Sequence, residues 1–289
     1  MGELDFTETH RRSIAQALYG EDRTCRIDLI RPHTELADSV ALYLVDDAYV
    51  LSLSAPAFPD SAAQETRAVR AMRLVLGEAG RVLPVIAGEG LLDERSFRLV
   101  PLLKPLRTGR LLGRIDRLRV RGAALAWVRE LAARAEPPSG EAPARFIPCL
   151  AALAATPGLP DDIAAAAEDA QAALETGRVQ VGHVPMHGDL WVGNLLRTAQ
   201  GALCVIDWGG SERQGYGLFD LMRLGESLRL PPGRFGREIA AHEALLGGRA
   251  AARIHLLAAL GHYAANLGQF PLERFVTMAT SVWRHYGRH

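Results

Sequence analysis

The sequence predicts an α+β fold, with a small antiparallel sheet in the first hundred residues and a mainly helical region after them. Three observations predict it. The runs CRIDLI (Cys25 to Ile30), VALYLV (Val40 to Val45) and YVLSLS (Tyr49 to Ser54) have strand length and strand composition. A single amphipathic helix pattern follows them, and from Lys104 onward helical patterns dominate.

The elements follow in order. Asp46, Asp47 and Ala48 form the short turn of a hairpin between the second and third runs. SAAQETRAVRAMRLVLGEAG places Val69, Met72, Val75 and Leu76 at helical spacing, with Ser61 as a candidate cap and Gly77 and Gly80 near the end. VLPVI and SFRLVPLL supply two more strands. RLRVRGAALAWVRELAARA is helical, and EPPSGEAP (Glu136 to Pro143) reads as a surface loop. After Pro160, DDIAAAAEDAQAALET starts a helix with two acids in its first turn, where the helix dipole favours them. The last eighty residues are helical, broken near Pro231, Pro232 and Pro271. This divides the chain into a sheet-rich region at residues 1–103 and a helical region at residues 104–289.

Composition narrows the class. A hydrophobic fraction of 48% in 289 residues is enough to bury a sizeable core, and a formal net charge of +0 gives no pull toward nucleic acid or an anionic membrane. No apolar run approaches the ~20 residues needed to span a bilayer. Cys25, Cys149 and Cys204 are widely spaced and form no CxxC pair, which suits a reducing compartment and a cytoplasmic protein. The sequence does not specify an oligomeric state. Lys104 is its only lysine.

Chemistry concentrates in MHGDLWVGNLLRTAQGALCVIDWG, Met186 to Gly209. LLR and ALCVI are apolar runs separated by the turn-like TAQG, so they read as a hairpin. Asn194 precedes its first strand and Asp207 follows its second, so both arrive at one edge. An amide oxygen beside a carboxylate suits a hard cation such as Mg²⁺, with phosphate oxygens completing the shell. Asp189, on the loop HGDLWVGN, can then reach a substrate hydroxyl without being consumed as a ligand. One free Asp, one Asn and one Asp are what metal-assisted phosphoryl transfer needs.

This segment resembles the aminoglycoside phosphotransferase and choline kinase-like superfamily, relatives of the protein kinases. Their signature HGDxxxxN, followed by an apolar strand and D-[WF], is matched by His187 to Asn194 and by Asp207-Trp208. The resemblance implies a two-lobed protein-kinase-like fold and transfer of the terminal phosphoryl of ATP or GTP to a small-molecule hydroxyl. It implies that Asp189 accepts the hydroxyl proton, that Asn194 and Asp207 hold Mg²⁺, and that His187 orders the catalytic loop. Asp220, in GLFDLMRL, matches the acid that supports that loop.

One position departs from the pattern. The strand equivalent to YVLSLS carries, in these relatives, a lysine that pairs with a helix glutamate and holds the donor phosphates. Ser52 stands there instead, with Glu65 thirteen residues on where the partner glutamate belongs. No glycine occurs from Glu21 through Leu76 to form a phosphate-cradling loop. Arg31, Arg67, Arg70 or the weaker candidate Lys104 could supply the cation. The alternative is a catalytically silent, pseudokinase-type protein that binds nucleotide or metabolite without turnover.

Seven arginines face only Glu238, Glu243 and Glu273 between Pro231 and His289. That disfavours a cationic acceptor such as an aminoglycoside and favours a neutral or anionic, sugar-like one. His242, His255, His262 and His285, and the aromatics Tyr263, Phe270, Trp283 and Tyr286, read as packing, cleft lining or capping rather than as a metal or sugar site.

Overall fold

The computed structural model describes residues 5–34, 40–107, 109, 111–138, 142–268 and 270–289. The expected SGE of the EPPSGEAP loop lies outside the described residues. The fold divides into two compact units, one of residues 1–74, 80–106 and 195–209, the other of residues 75–79, 107–194 and 210–289. A contiguous division of the chain would leave the hairpin at 195–209 with the helices; it packs with the sheet instead.

In the first unit, helix α1 (Glu8–Tyr19) precedes strands β1 (Ile27–Arg31), β2 (Val40–Val45) and β3 (Tyr49–Ser54), then α2 (Ser61–Leu76), β4 (Gly88–Leu92) and β5 (Arg95–Pro101). The strands form one antiparallel sheet in the order β1-β2-β3-β5-β4. Both hairpin turns use acids at positive φ, Asp46 and Asp47 at 48° and 55°, Asp93 and Glu94 at 46° and 63°. Such values mark the tight turn whose twist matches that of the strands.

Alternation gives the sheet two unlike faces. Leu51, Leu53, Phe97 and Leu99 are buried with Ile14 and Ala15 of α1 in a hydrophobic core. The opposite face carries Ser52, Ser54, Ser96 and Arg98, and its serines receive the start of α2. Ser54 Oγ accepts the Ala62 N–H at 2.9 Å and Ser96 Oγ accepts the Ala63 N–H at 3.2 Å. The helix cap therefore comes from the sheet. Ser61, the expected cap, instead donates its hydroxyl to the Phe58 carbonyl.

VLPVI is not a strand. Residues 77–82 form a 3₁₀ turn, and the following carbonyls of Leu83 and Pro84 accept from Arg73 rather than from a neighbouring strand. Pro84 has no N–H to give a ladder. The fourth strand is Gly88–Leu92, six residues later than the start of that run.

The unit is completed by β6 (Lys104–Pro105), β8 (Leu195–Arg197) and β9 (Leu203–Val205), which form a three-stranded sheet in the order β6-β8-β9. β8 and β9 are the expected hairpin.

The second unit contains β7 (Val184–Met186), paired with β10 (Glu212–Gly215), and helices α3 (Leu112–Ala132), α4 (Pro143–Ala154), α5 (Asp161–Glu175), α6 (Phe219–Ser227), α7 (Pro232–Leu245), α8 (Arg249–Ala265) and α9 (Leu272–Gly287). Helix α4, hidden from the sequence pattern, begins at a proline in the first helical turn, where a missing N–H costs nothing. A Cβ at Gly261 of α8 would overlap the Cys149 carbonyl of α4, so glycine lets the two helices meet backbone to backbone.

Cys25, Cys149 and Cys204 are free thiols. Burial raises the pKa of all three and pushes Cys204 up to about 12. Among the described residues no helix is long and apolar enough to cross a membrane.

Candidate functional site

The HGDLWVGN loop leaves β7 in the second unit. Its second residue, Gly188, has φ of +87°, and a Cβ there would overlap the Gly210 carbonyl oxygen, so only glycine fits. Asp220, in the first turn of α6, receives the loop. Its carboxylate accepts the N–H of His187 at 2.7 Å and that of Gly188 at 3.0 Å. Complete burial pushes the Asp220 carboxyl up, while His187 and the two N–H bonds act in the opposite direction.

Around that anchor the loop closes on itself. The imidazole of His187 is fully buried, and its Nδ1 accepts the Asp189 N–H at 3.3 Å. Asn194 is buried, and its Nδ2 donates to the Asp189 carbonyl at 2.8 Å, which leaves its amide oxygen directed by a fixed plane. The Val192 N–H donates to Ser227 Oγ on α6 at 2.9 Å. Asp189 is half-buried, and Arg223, one turn after Asp220 on α6, donates to its Oδ1 at 3.3 Å. The structure thus brings His187, Asp189, Asn194 and Asp220 together in one unit. Arg223 and Ser227 were missed in the sequence, although Arg223 at i+3 from Asp220 shares its helix face.

The remaining site residues lie in the first unit. Leu195 is paired with Val205 across the hairpin, so the chain enters it from Asn194 at the end from which Asp207 leaves. Asp207 is exposed, with φ of +67°, a left-handed conformation that a non-glycine residue holds at a cost and that concentrates at functional sites. The next residue, Trp208, is fully buried. Its indole donates to the Val205 carbonyl at 2.7 Å and its backbone N–H to Glu65 Oε1 at 3.4 Å.

Glu65 also has its cation. Arg98 Nη2 lies 2.6 Å from Glu65 Oε2, and both side chains are largely buried, at 10% and 14% exposure. Arg98 stands on β5 directly across from Ser52 on β3. The position that lacks a lysine therefore has a guanidinium beside it on the neighbouring strand. Arg98 Nε and Nη1 are buried with no hydrogen-bond partner among the described residues. A buried polar group left in that state costs on the order of 1–3 kcal/mol.

None of the cations named from the sequence occupies this place. Arg31 on edge strand β1, Arg67 on α2 and Lys104 on β6 are exposed, and Arg70 is tied to Glu89 at 2.8 Å. Finding Arg98 required the register between β3 and β5, which no local pattern supplies.

The histidines pack. His255 is almost fully buried, and its Nδ1 accepts the Gly217 N–H at 3.0 Å. His242 Nδ1 meets the Glu238 carbonyl at 2.8 Å. Among the described residues, no group of three or more His, Cys, Asp or Glu side chains could hold a metal ion. Tyr263 stacks on Phe275, and the Trp283 indole donates to Asp162.

A family model, the phosphotransferase enzyme family, matches residues 30–257. The chain belongs to that family. The loop, its Asp220 anchor and the hairpin all fall inside the matched span.

Solved structures show the same kinase-like fold at low identity. The GDP and kanamycin complex of an APH(2″) phosphotransferase is 15% identical, with 97% of this chain and 99% of that one covered at a TM-score of 0.53. The macrolide 2′-phosphotransferase MphH from Brachybacterium faecium is 20% identical, with coverage of 87% and 91% and a TM-score of 0.51. The choline kinase LicA from Streptococcus pneumoniae is 13% identical, with coverage of 91% and 94% and a TM-score of 0.51. A search of the curated proteins finds no match.

Proposed function

We propose that this phosphotransferase transfers the terminal phosphoryl of ATP or GTP to a hydroxyl of a small, neutral or anionic, sugar-like acceptor, with Mg²⁺ as cofactor. The observation that carries the reading is the hydrogen bond from Asn194 Nδ2 to the Asp189 carbonyl. It locks the one amide of the loop so that its oxygen is the group left to meet a cation, while the Asp189 carboxylate stays outside that role. An amide oxygen from Asn194 and a carboxylate from Asp207 are the hard, sparse donor set that suits Mg²⁺ shared with nucleotide phosphates. When bound, the ion neutralises charge on those phosphates.

The chain's own residues then have distinct tasks. The acceptor hydroxyl oxygen forms a bond to the terminal phosphorus as the bridging P–O bond breaks. The hydroxyl proton passes to Asp189, and a nucleoside diphosphate leaves. Arg223, on Asp189 Oδ1, holds the carboxylate's orientation. Asp220 and His187 order the loop and touch no reacting atom. The GDP in one structural relative supports nucleotide as the donor.

Charge supports the acceptor class. A cleft of about 270 Å³ in the helical unit is lined by Arg114, Arg117, Arg121 and Arg229 and, among the described residues, by no acid. It includes Leu228, the residue after the Ser227 that holds the catalytic loop. Arg223 adds a fifth cation beside Asp189. Such a field attracts a phosphorylated or carboxylated acceptor and repels an amine.

Calorimetric titration with ATP and GTP, with and without Mg²⁺, tests the reading, followed by assay of nucleoside diphosphate release over sugars, sugar phosphates, kanamycin and choline. Binding that needs Mg²⁺ and is lost in Asp207→Ala, with turnover on an uncharged or anionic acceptor, is the expected result. Tight binding without turnover on any acceptor would favour the silent alternative that Ser52 raises. A folded protein that binds neither nucleotide would overturn the proposal.

A further inference from the structure

We infer that Arg98 is the donor-phosphate clamp of this protein, replacing from β5 the cation that Ser52 does not supply on β3. The inference rests on the nucleotide-dependent reading above and assigns it a residue.

Four observations converge, all within the sheet-bearing unit. Arg98 is the cross-strand partner of Ser52, so the two side chains rise from adjacent points on one sheet face. Its guanidinium holds Glu65, as a clamping lysine would. Glu65 in turn accepts the N–H of Trp208, the residue after Asp207, so the cation is linked through one carboxylate to the start of the metal-binding segment. Finally, Arg98 is nine-tenths buried, yet Nε and Nη1 have no partner among the described residues.

The last point separates a clamp from a structural tie. A guanidinium that only anchored α2 to the sheet would need one edge, and the rest could remain in water. Here the remaining N–H groups are out of water and unmet. The neighbouring acid on the other side, Glu89, stands across from Arg98 on β4 but is engaged by Arg70. Phosphate oxygens suit the unmet donors, because a guanidinium presents several N–H groups in a fixed fork and can hold a carboxylate and a phosphate together. Ser52 is small and 3% exposed, and it brings no cation of its own to that face.

The test measures affinity for Mg-ATP and Mg-GTP, each beside its free nucleoside, in the wild type, Arg98→Met and the double variant Ser52→Lys/Arg98→Met, with folding checked by circular dichroism. Arg98→Met is expected to weaken triphosphate binding by about tenfold or more and to leave nucleoside binding unchanged. The double variant, which moves the cation one strand over, is expected to recover most of that loss. If Arg98→Met does not fold, Arg98→Lys takes its place. It keeps the charge and loses the fork, and is expected to weaken triphosphate binding by at least about threefold. A folded variant that binds triphosphate as tightly as the wild type overturns the clamp and leaves the nucleotide reading standing. A wild type that binds no triphosphate overturns both.

Discussion

The HGDLWVGN loop and the serine face of the sheet are both polar surfaces built for charge, but they are specified in opposite ways. In the loop, His187, Asp189 and Asn194 lie within eight residues, and their geometry is set by bonds among themselves and to Asp220. On the sheet, Ser52, Glu65 and Arg98 come from β3, α2 and β5, and strand register and one ion pair join them. A contiguous site cannot lose a member without breaking its motif. A site assembled across strands can pass a charge from one strand to the next, because cross-strand neighbours reach the same space. On the proposal above, the lysine absent at Ser52 is such a case.

The strongest way to separate the two regions is to remove the carboxylate of the loop. Asp189→Asn should lower kcat by about 10²–10⁴-fold, or about 3–5 kcal/mol of transition-state stabilisation, while Mg-ATP affinity stays within about threefold of wild type. Steady-state kinetics beside calorimetry would check it. The Arg98 variants should show the reverse pattern, affinity before turnover. If Asp189→Asn weakens binding as much as it slows turnover, the division of labour between the regions fails.

Acid should act on the loop's supports before it acts on the sheet. His255 holds Gly217, three residues before Asp220, and burial lowers its pKa to about 3 from an ordinary 6.5. A histidine buried in its neutral form gives its full stabilisation above the unfolded value and loses it as pH falls from about 6.5 toward 3. Between pH 7 and pH 5 the chain should lose about 2 kcal/mol of stability through this residue alone. Denaturant melts of wild type and His255→Gln across that range would measure it, and equal slopes in the two proteins would refute the assignment. The smallest effect is expected on the sheet side. Ser54→Ala removes the hydroxyl that meets the start of α2 and should cost about 1 kcal/mol in chemical denaturation, with kcat unaltered.

How much was legible follows the same division. VALYLV and YVLSLS are strands from first residue to last, because alternation and a two-acid turn are local signals. HGDLWVGN could be read because its residues are contiguous, and Asp220 through the family resemblance. Helix α4 was hidden because its proline start looked like the end of a loop, and β4 because GEGLL has little strand character and a Glu in its turn. The cap of α2 went to Ser54 and Ser96 over Ser61 because tertiary neighbours outcompete a residue's own helix end. Arg98 was visible only as a polar residue in an apolar run, and Arg223 only as one basic residue among many.

The three free cysteines have a consequence of another kind. Attack on an alkylating reagent needs a thiolate, and desolvation holds Cys25, Cys149 and Cys204 in the thiol form, with Cys25 and Cys204 buried and Cys149 partly exposed. Cys25 and Cys204 lie in the sheet-bearing unit and Cys149 in the helical one. The native chain therefore carries its own opening clock in the sheet-bearing unit, with the partly exposed Cys149 as an internal reference. Site-resolved alkylation of Cys25 and Cys204, timed in native buffer, reads how often that unit exposes its interior, with no label introduced and no residue replaced.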